Sequence, residues 1–358
     1  MKVIQVDANP AGLDLFHRLP DLVYAGDPFR VISPRRTEQA LLDDSAYASR
    51  QVAFVVERDG APLARCVARH GGASSAGTIG FFESHDDLAA CRLVLQAAEQ
   101  WLSERGICHI EGPMDGDTWH RYRFNVGPRE TPPFLKEPWN PEYYPSLWLA
   151  CGYAPADRYL SALITDPARS ADGLSPFLRR VRRRGYTFRA IRKDCFDDEL
   201  DILHRLSLQI FKSNRHYTPI PFASFRKLYD GIRPILIPGL CQFCCAPDGR
   251  EIGFVFCYPD YVDAVRAMQG QTGPLAVIRF LWRRRHATRV CIKSLGCLPE
   301  CRGTGAGPAL VALALEHIAA LGYREALMCL MHEDNDSTRL DGGFSRPFRE
   351  YQLYEKTL

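Results

Sequence analysis

The chain of 358 residues is 46% hydrophobic and has a formal net charge of +3, so it exceeds one typical domain and has enough apolar content for two cores. The small net charge excludes the strongly basic surface of a bulk nucleic-acid binder, and no stretch approaches the ~20 apolar residues of a membrane helix. We therefore expect a cytoplasmic protein with no nucleic-acid or membrane partner.

The first half of the chain alternates strand and helix patterns. Residues 52–56 and 63–67 predict a hairpin with its turn at Asp59 and Gly60. Residues 79–82, 87–105 and 107–111 then predict a strand, an amphipathic helix and a further strand.

A loop dense in polar and aromatic residues follows the last of these strands, over residues 115–124. Asp115 or Asp117 can hold an ammonium group, His120 can relay a proton, and Trp119 can wall a pocket or contact a cation. We therefore expect these four residues to bind an acceptor substrate. The alternative is a loop whose polar groups satisfy one another.

The second half repeats the same order of elements. Residues 242–245 and 252–258 predict a hairpin, residues 290–298, 308–321 and 324–331 predict a strand, a helix and a strand, and residues 349–356 predict a closing strand. This repetition predicts an α/β fold with an internal duplication of topology, divided into residues 1–165 and 176–358.

The 13 cysteines do not form a recognisable metal motif. Cys241 and Cys244 have Cys-x-x-Cys spacing, but no second such pair completes a zinc site and the pair falls within a predicted strand. We expect no metal, and reduced thiols that pack as small hydrophobic side chains.

A glycine-rich turn, residues 299–307, lies between the predicted strand 290–298 and the predicted helix 308–321. Glycines allow a tight turn that exposes amide N–H groups, and the helix that follows directs the positive end of its dipole to the same place. Arg302 adds a cationic fork. The turn lacks the Lys-Ser/Thr pair of a P-loop and the six-residue dinucleotide spacing, so it predicts another kind of phosphate cradle.

The turn reads Pro-x-x-Arg-Gly-x-Gly-x-Gly from Pro299, and this pattern resembles the pyrophosphate loop of the GNAT acetyltransferase superfamily. The resemblance covers roughly the last 70 residues and implies two tandem GNAT-like domains, each a mixed twisted sheet flanked by helices. The first, residues 1–165, is a degenerate GNAT-like domain of a tandem bacterial subgroup, and the second, residues 176–358, is the acyl-CoA-binding domain. The first half has Glu83, Asp86 and Asp87 where the second has its glycines, and these carboxylates would repel a pyrophosphate.

The resemblance implies acetyl-CoA or another acyl-CoA as the co-substrate. Its pantetheine arm would pair with the backbone of the cofactor strand, and its pyrophosphate would lie on the glycine-rich turn. The residues that this assigns to cofactor binding are Gly296, Cys297, Leu298, Arg302, Gly303, Thr304, Gly305, Ala306, Gly307 and Asn335. Cys297 lies near the arm, but direct acyl transfer makes a packing role more consistent than a nucleophilic one.

The chain departs from the family at its general acid and base. Residues 293–298 contain no carboxylate, and no Tyr follows Asn335 at the expected distance. The catalytic candidates are therefore Asn335, Tyr354 and His120, although Tyr354 is equally explained as an ordinary strand aromatic.

A second candidate for acceptor binding is the loop after a predicted helix in the second half. Asn214, His216 and Tyr217 lie there, where GNAT folds border the acceptor, and a plain helix end is the alternative. Basic stretches occur at residues 179–184 and 283–286. Each is typical of a solvated face, and the second, close in sequence to the cofactor strand, can alternatively meet the CoA 3′-phosphate or an acidic acyl-carrier protein.

The function implied by this resemblance is transfer of an acetyl or other acyl group from acyl-CoA to a small-molecule amine by direct attack. One alternative keeps the fold but takes the acyl group from acyl-carrier protein in a biosynthetic pathway. A second is a non-catalytic acyl-CoA sensor. By analogy with tandem arrangements, we expect a monomer.

Overall fold

The structure is a computed structural model that describes residues 1–6, 10–43, 49–71 and 76–358. The chain forms two compact units. The first comprises Met1–Arg158, Ala264–Trp282 and Glu350–Leu358, and the second comprises Tyr159–Asp263 and Arg283–Arg349.

The first unit contains one sheet flanked by helices. In chain order its elements are β1 (Lys2–Gln5), α1 (Pro10–Val23), α2 (Arg35–Leu42), β2 (Gln51–Arg58), β3 (Ala61–Arg69), β4 (Gly77–Ser84), α3 (Leu88–Ser103), β5 (His109–Gly112), β6 (Phe124–Asn125) and α4 (Tyr144–Ala150). The sheet order is β1-β2-β3-β4-β5, and the strand that pairs beyond β5 is the C-terminal strand of the chain. All of these pairs are antiparallel except β4 with β5, which are parallel.

Local chemistry explains the first unit's central elements. The β2–β3 turn has Asp59 at φ 52° and Gly60 at φ 79°, which is the left-handed pair of a tight hairpin. Asp87 caps α3 because its carboxylate accepts the Ala90 N–H at 3.0 Å. One face of α3 then packs on the sheet through residues such as Val94 and Ala98, both fully buried.

The second unit repeats this topology. The remaining elements of the chain are β7 (Ala154–Ile164), α5 (Pro167–Arg183), β8 (Thr187–Ala190), α6 (Phe196–Ile210), α7 (Phe222–Leu228), β9 (Cys241–Cys245), β10 (Glu251–Pro259), α8 (Val262–Met268), α9 (Pro274–Arg283), β11 (Arg289–Cys297), α10 (Ala306–Ala320), β12 (Glu325–His332) and β13 (Arg346–Thr357). Of these, α8, α9 and β13 belong mostly to the first unit. The second unit's sheet order is β7-β12-β11-β10-β9-β8, with β11 and β12 parallel and the other pairs antiparallel. Helix α10 is mostly apolar, and nine of its 15 residues are buried.

The predicted duplication is therefore confirmed element by element. The order hairpin, strand, helix and parallel strand appears as β2–β3, β4, α3 and β5 in one unit, and as β9–β10, β11, α10 and β12 in the other.

The division between the units differs from the two contiguous halves expected from the sequence. The chain passes from one unit to the other within β7, α8, α9 and β13. Strand pairing explains the last crossing, because residues 354–357 of β13 pair with β5 of the first unit.

No helix in the part of the chain that the structure describes is long and apolar enough to cross a membrane. Within the same residues no group of three or more His, Cys, Asp or Glu side chains is arranged to hold a metal ion. Cys241 and Cys244 are buried free thiols in β9.

Candidate functional site

The glycine-rich turn has the backbone geometry of an anion cradle. Gly303 and Gly305 have φ values of +76° and +93°, so both need the left-handed conformation that glycine adopts without strain. Gly305 is the N-cap of α10 and gives no side-chain cap to the helix. The Thr304 hydroxyl takes part of that role, since it accepts the Ala306 N–H at 3.3 Å.

The cradle has donors and positive charge available. Among the described residues, no acceptor receives the N–H of Gly303 or Gly305. Arg302 is exposed and has no acidic partner within the same part of the chain. The first N–H groups of α10 also lack intrahelical acceptors, and the helix dipole favours an anion at this end.

The strands that lead to the cradle separate from each other. The parallel register of β11 and β12 runs from Arg289 and Glu325 to Ile292 and Met328, whereas β11 continues to Cys297 and β12 to His332. The β10–β11 register shifts at Lys293, where the separation begins. Beyond Ile292 and Met328 the two parallel strands are no longer paired, so a gap lies between their ends.

Backbone groups at the end of β11 are divided between the sheet and the gap. The Leu298 N–H donates to Ile252 of β10 at 2.8 Å, so it is committed to the sheet. Because successive backbone groups of a strand point in opposite directions, the Cys297 N–H faces the β12 side. Three residues were expected to contact a pantetheine arm, and Cys297 is therefore the one whose N–H points into the gap.

The side chains of this segment are small for steric reasons. A Cβ on Gly296 would lie 2.4 Å from Ile210 Cγ2, so the glycine allows the last turn of α6 to pack against β11. Burial raises the pKa of the Cys297 thiol to about 12. The thiol is protonated at neutral pH, as expected for a packing residue.

The loop after β12 packs beside the first turn of α10. A Cβ on Gly307 would lie 3.2 Å from Leu340 Cδ2, which belongs to this loop. Asn335 opens the loop's short 3-10 turn at residues 336–339 and is partly exposed. Its carbonyl accepts the Thr338 N–H at 3.1 Å. The structure thus brings Asn335 and the glycine-rich turn to the same end of adjacent parallel strands.

His332 ends β12 on the same side of the sheet, and the sequence argument did not select it. Its Nδ1 accepts the Asp334 N–H at 3.1 Å, and its ring meets the Tyr159 ring edge-on with centroids 4.9 Å apart. The sequence feature that could have identified His332 is its position as the last residue of a strand that lines the gap.

Helix α5 packs beside the cradle and carries a basic groove on its exposed side. Ile164, just before α5, pairs with Ala326 near the start of β12. Because α10 ends just before β12, α5 and α10 pack antiparallel. A Cβ on Gly305 would accordingly lie 3.6 Å from Val181 of α5. The open groove has a volume of about 480 Å³ and is lined by Pro176, Arg179, Arg180, Arg183 and Arg184.

These arginines are not neutralised within the protein. Arg180, Arg183 and Arg184 have no carboxylate partner among the residues described, and Arg179 donates to Ser175 Oγ at 2.8 Å. The arginines of this stretch, which was expected to be a solvated face, are all exposed.

The other basic stretch lies elsewhere. Arg284 and Arg285 precede β11, whereas the glycine-rich turn follows it. A nine-residue strand separates them, and at ~3.3 Å per residue this is roughly 25 Å. Residues 283–286 therefore lie at the opposite end of β11 from the glycine-rich turn, and their contact with a CoA 3′-phosphate or an acyl-carrier protein stays a prediction.

Comparison with known proteins agrees with this geometry. Residues 210–340 match the model of the Acetyltransferase (GNAT) family, a range that holds β9 to β12 and α10. Residues 210–340, most of which lie in the second unit, therefore have the sequence pattern of the GNAT family. The tandem GNAT protein from the clavulanic acid biosynthesis pathway covers 99% of this chain and 98% of its own, with a TM-score of 0.55 and 11% identity. A GCN5-related N-acetyltransferase from Sphaerobacter thermophilus covers 99% and 95%, with a TM-score of 0.52 and 14% identity.

These structural likenesses show the fold alone. The GNAT fold in two tandem copies, each with a mixed sheet and flanking helices, is thereby confirmed. In sequence, the chain is 27% identical over 210 residues to the bacterial ceramide synthase of Caulobacter vibrioides. The match spans 58% of this chain and about half, 54%, of that relative.

The first GNAT unit differs from the second at the cradle position. Where α10 begins at a glycine without a side-chain cap, α3 begins at Asp87, whose carboxylate already occupies the helix N-terminus. Glu83 is also committed, because it accepts the Tyr144 hydroxyl at 2.8 Å. The N-terminus of α3 is thus closed to a second anion.

The polar loop after β5 is self-satisfied. Asp115 accepts the Phe81 N–H at 2.5 Å and the Arg121 Nε at 2.8 Å, and it is 6% exposed. Asp117 accepts the Trp119 N–H and His120 Nδ1, both at 2.8 Å, and is 3% exposed. These contacts favour the structural alternative for this loop, because neither buried carboxylate is left to receive an ammonium group.

Tyr354 belongs to the first unit's aromatic core. It is 2% exposed, and its ring lies 5.9 Å from Phe124 and 6.2 Å from Trp148 between centroids. Its hydroxyl donates to Gln352 at 3.3 Å. This packing favours an ordinary strand aromatic over a catalytic acid.

The loop after α6 lies close to the cofactor strand in sequence and in space. Helix α6 ends at Ile210, the residue that packs against Gly296, and the loop with Asn214, His216 and Tyr217 follows directly. Phe211 is the C-cap, so Asn214 lies beyond the helix end and does not cap it. His216 has a φ of 59°, a conformation that non-glycine residues adopt rarely. Of the two expected acceptor clusters, this one lies in the unit that carries the cradle.

Proposed function

We propose that the second unit binds an acyl-CoA and that the protein transfers the acyl group to an amine. The observation that carries the proposal is the uncapped, left-handed Gly305 at the N-terminus of α10. It lies at the end of a strand that separates from its parallel neighbour. The fit is chemical, since amide donors and Arg302 suit a pyrophosphate and a gap between strands suits an amide-bearing arm.

Three groups of residues hold the donor in this proposal. Residues 302–307 bind the pyrophosphate through backbone N–H groups and the Arg302 fork. Residues 296–298 pair with the pantetheine arm. The groove of Arg179, Arg180, Arg183 and Arg184 receives the remaining phosphate, because its charge is unneutralised and it lies on the helix that contacts Gly305.

The reaction then needs few groups from the chain. The amine nitrogen attacks the thioester carbonyl carbon, a C–N bond forms, and the C–S bond breaks as the thiolate takes a proton. The Cys297 N–H donates to the oxygen that gains negative charge. We place Asn335 and His332 among the groups that handle the protons, because both lie where β12 ends.

The acceptor is proposed from the relative's name. A ceramide is the fatty amide of a long-chain amino alcohol, so the acceptor class that we propose is an amine with a long alkyl chain. The residues that we propose to border it are Asn214, His216 and Tyr217.

The test is a turnover assay that detects the free thiol of CoA. The purified chain is offered acetyl-CoA and a long-chain acyl-CoA with short polar amines and long-chain amino alcohols. We expect thiol release that depends on both substrates and is lost in Arg302→Ala with Gly303→Ala. Binding without turnover across the panel would favour a sensor, and turnover only with acyl-carrier protein would move the donor to that protein.

A further inference from the structure

Helix α9 exposes an apolar face that the acyl-transfer chemistry does not use. Five of its ten residues are large apolar side chains that are between 43% and 70% exposed: Leu275, Val277, Ile278, Leu281 and Trp282. Ala276 is the buried residue of the helix. A protein surface seldom exposes so many large apolar side chains on one short element.

These side chains form one continuous face. At 100° per residue, the order around the helix is Val277, Leu281, Ile278, Trp282 and Leu275, which covers an arc of about 160°. Ala276 and Phe280 lie together on the opposite side, where the helix packs on the protein. The face is therefore directed outward as a unit.

The apolar face is bordered by positive charge. Arg279 and Arg283 lie on its edge in the helix, and Arg284 and Arg285 follow immediately. No Asp or Glu occurs between Asp263 and Glu300. An apolar face with a Trp and an arginine border is complementary to the surface of an anionic bilayer, whose headgroups meet the arginines while the apolar side chains enter the interface.

We propose that α9 binds the protein to the surface of a membrane that contains anionic lipids. Ten residues are far fewer than the ~20 that span a bilayer, so the helix lies in the plane of the interface. The expectation of no membrane partner came from the lack of a spanning segment, and a surface helix is a different mode of binding. This inference rests on α9 alone and does not require the proposed acyl transfer.

A second copy of the chain is a poorer occupant. A ten-residue helix is ~15 Å long and ~10 Å wide, so its face offers on the order of 150 Å², against roughly 800 Å² per partner in a stable interface. Two copies meeting through α9 would also bring their arginines together. Area and charge both favour the bilayer.

The test measures binding of the full chain to vesicles by sedimentation. Vesicles of phosphatidylcholine with an equal share of phosphatidylglycerol are compared with vesicles of phosphatidylcholine alone. We expect binding to the anionic vesicles that weakens with added salt. In the double variant Leu275→Glu with Ile278→Glu, binding should fall by about a hundredfold, because two charged groups replace two inserted side chains.

The matched control is Leu22→Glu with Leu149→Glu. It makes the same chemical change at leucines that are 44% and 49% exposed in other helices, and it should bind as the unmodified chain does. Equal losses in both variants, or no binding by the unmodified chain, would overturn the proposal. The proposal would also be overturned if the unmodified chain formed a dimer, did not bind vesicles, and became a monomer in the α9 variant. The apolar face would then bind a second copy of the chain.

A spectroscopic readout keeps the proposal testable if the α9 variant does not fold. Trp282 of the unmodified chain should be quenched by anionic vesicles whose lipids carry bromine on their acyl chains. The quenched signal should be absent in Trp282→Phe, which leaves the other four Trp residues in place. Quenching of similar size in both proteins would place the contact elsewhere and refute a role for α9.

Discussion

Replacement of Gly305 by Glu tests whether the N-terminus of α10 binds a phosphate. The position has a φ of +93°, so any other residue strains the backbone, at a cost of about 1–2 kcal/mol. Space is available, because a Cβ would meet Val181 at 3.6 Å and Phe177 at 3.7 Å, which are ordinary contacts. The main effect is therefore electrostatic, as a carboxylate enters a site that should hold a dianion.

The size of that effect can be estimated. Two unit charges ~5 Å apart at an effective dielectric constant of ~20 repel by about 3 kcal/mol, so we expect at least a hundredfold loss of CoA affinity. Calorimetric titration with CoA measures it, and urea unfolding measures the backbone cost separately.

Gly322→Glu is the matched control. Gly322 follows the other end of α10, has a φ of +82° and has open space around a Cβ. The same backbone strain is introduced there, and the carboxylate meets the negative end of the helix dipole, so Gly322→Glu should destabilise the chain at least as much as Gly305→Glu. Its CoA affinity should nevertheless stay near that of the unmodified chain. If both variants lost affinity equally, or if Gly305→Glu bound CoA normally, the phosphate site would not be at the start of α10.

Three further predictions concern other parts of the chain. Replacing Arg180 and Arg183 by Gln should weaken CoA binding by about tenfold at low salt, because each removed charge acts across an exposed groove. Cys297→Ala should keep turnover within about threefold, since the thiol is protonated at neutral pH and the N–H remains. Glu38→Gln should lower the free energy of unfolding at pH 7 by about 2–3 kcal/mol. Burial of Glu38 disfavours its charged carboxylate, but Arg65 and His17 outweigh burial and lower the Glu38 pKa to about 2.

Each of these three has a result that would contradict it. For the arginine pair, titration with 3′-dephospho-CoA should show a smaller difference between variant and unmodified chain, and an unchanged difference would place the 3′-phosphate elsewhere. A loss of turnover beyond a hundredfold in Cys297→Ala would make the thiol a nucleophile. Because the Glu38 pKa is lowered from its ordinary 4.5, its stabilisation is present above pH 4.5 and is lost as pH falls toward 2. An acid-unfolding slope in this window that is the same with and without Glu38 would refute the ion pair.

The sequence could predict what local chemistry determines. Asp59 and Gly60 specify a tight hairpin by their left-handed preference, and the glycine pattern from Gly303 specifies a turn that opens a helix. Both are decided within a few residues, so both were found. The periodicity of α3 and of the strands reports burial in the same local way.

Long-range packing could not be predicted from the sequence. No local sequence signal shows that α5 packs antiparallel to α10, with Val181 beside a turn far along the chain. Asp115 was interpreted as a free carboxylate, but Phe81 and Arg121 donate hydrogen bonds to it. Its role therefore depends on groups that are distant in the sequence.

The two helix N-termini give the strongest argument for one donor site in a duplicated fold. Asp87 at the start of α3 and Gly305 at the start of α10 occupy matching positions after β4 and β11. The carboxylate stabilises α3 by about 1 kcal/mol because it satisfies an N–H and the dipole. Gly305 lacks that stabilisation, and it lies at the end of the gap between β11 and β12. The less stable of the two helix termini is therefore the one that can accept a phosphate. Duplication supplied two such termini, and the choice of a single residue at each decides which of them is a scaffold and which can bind an anion.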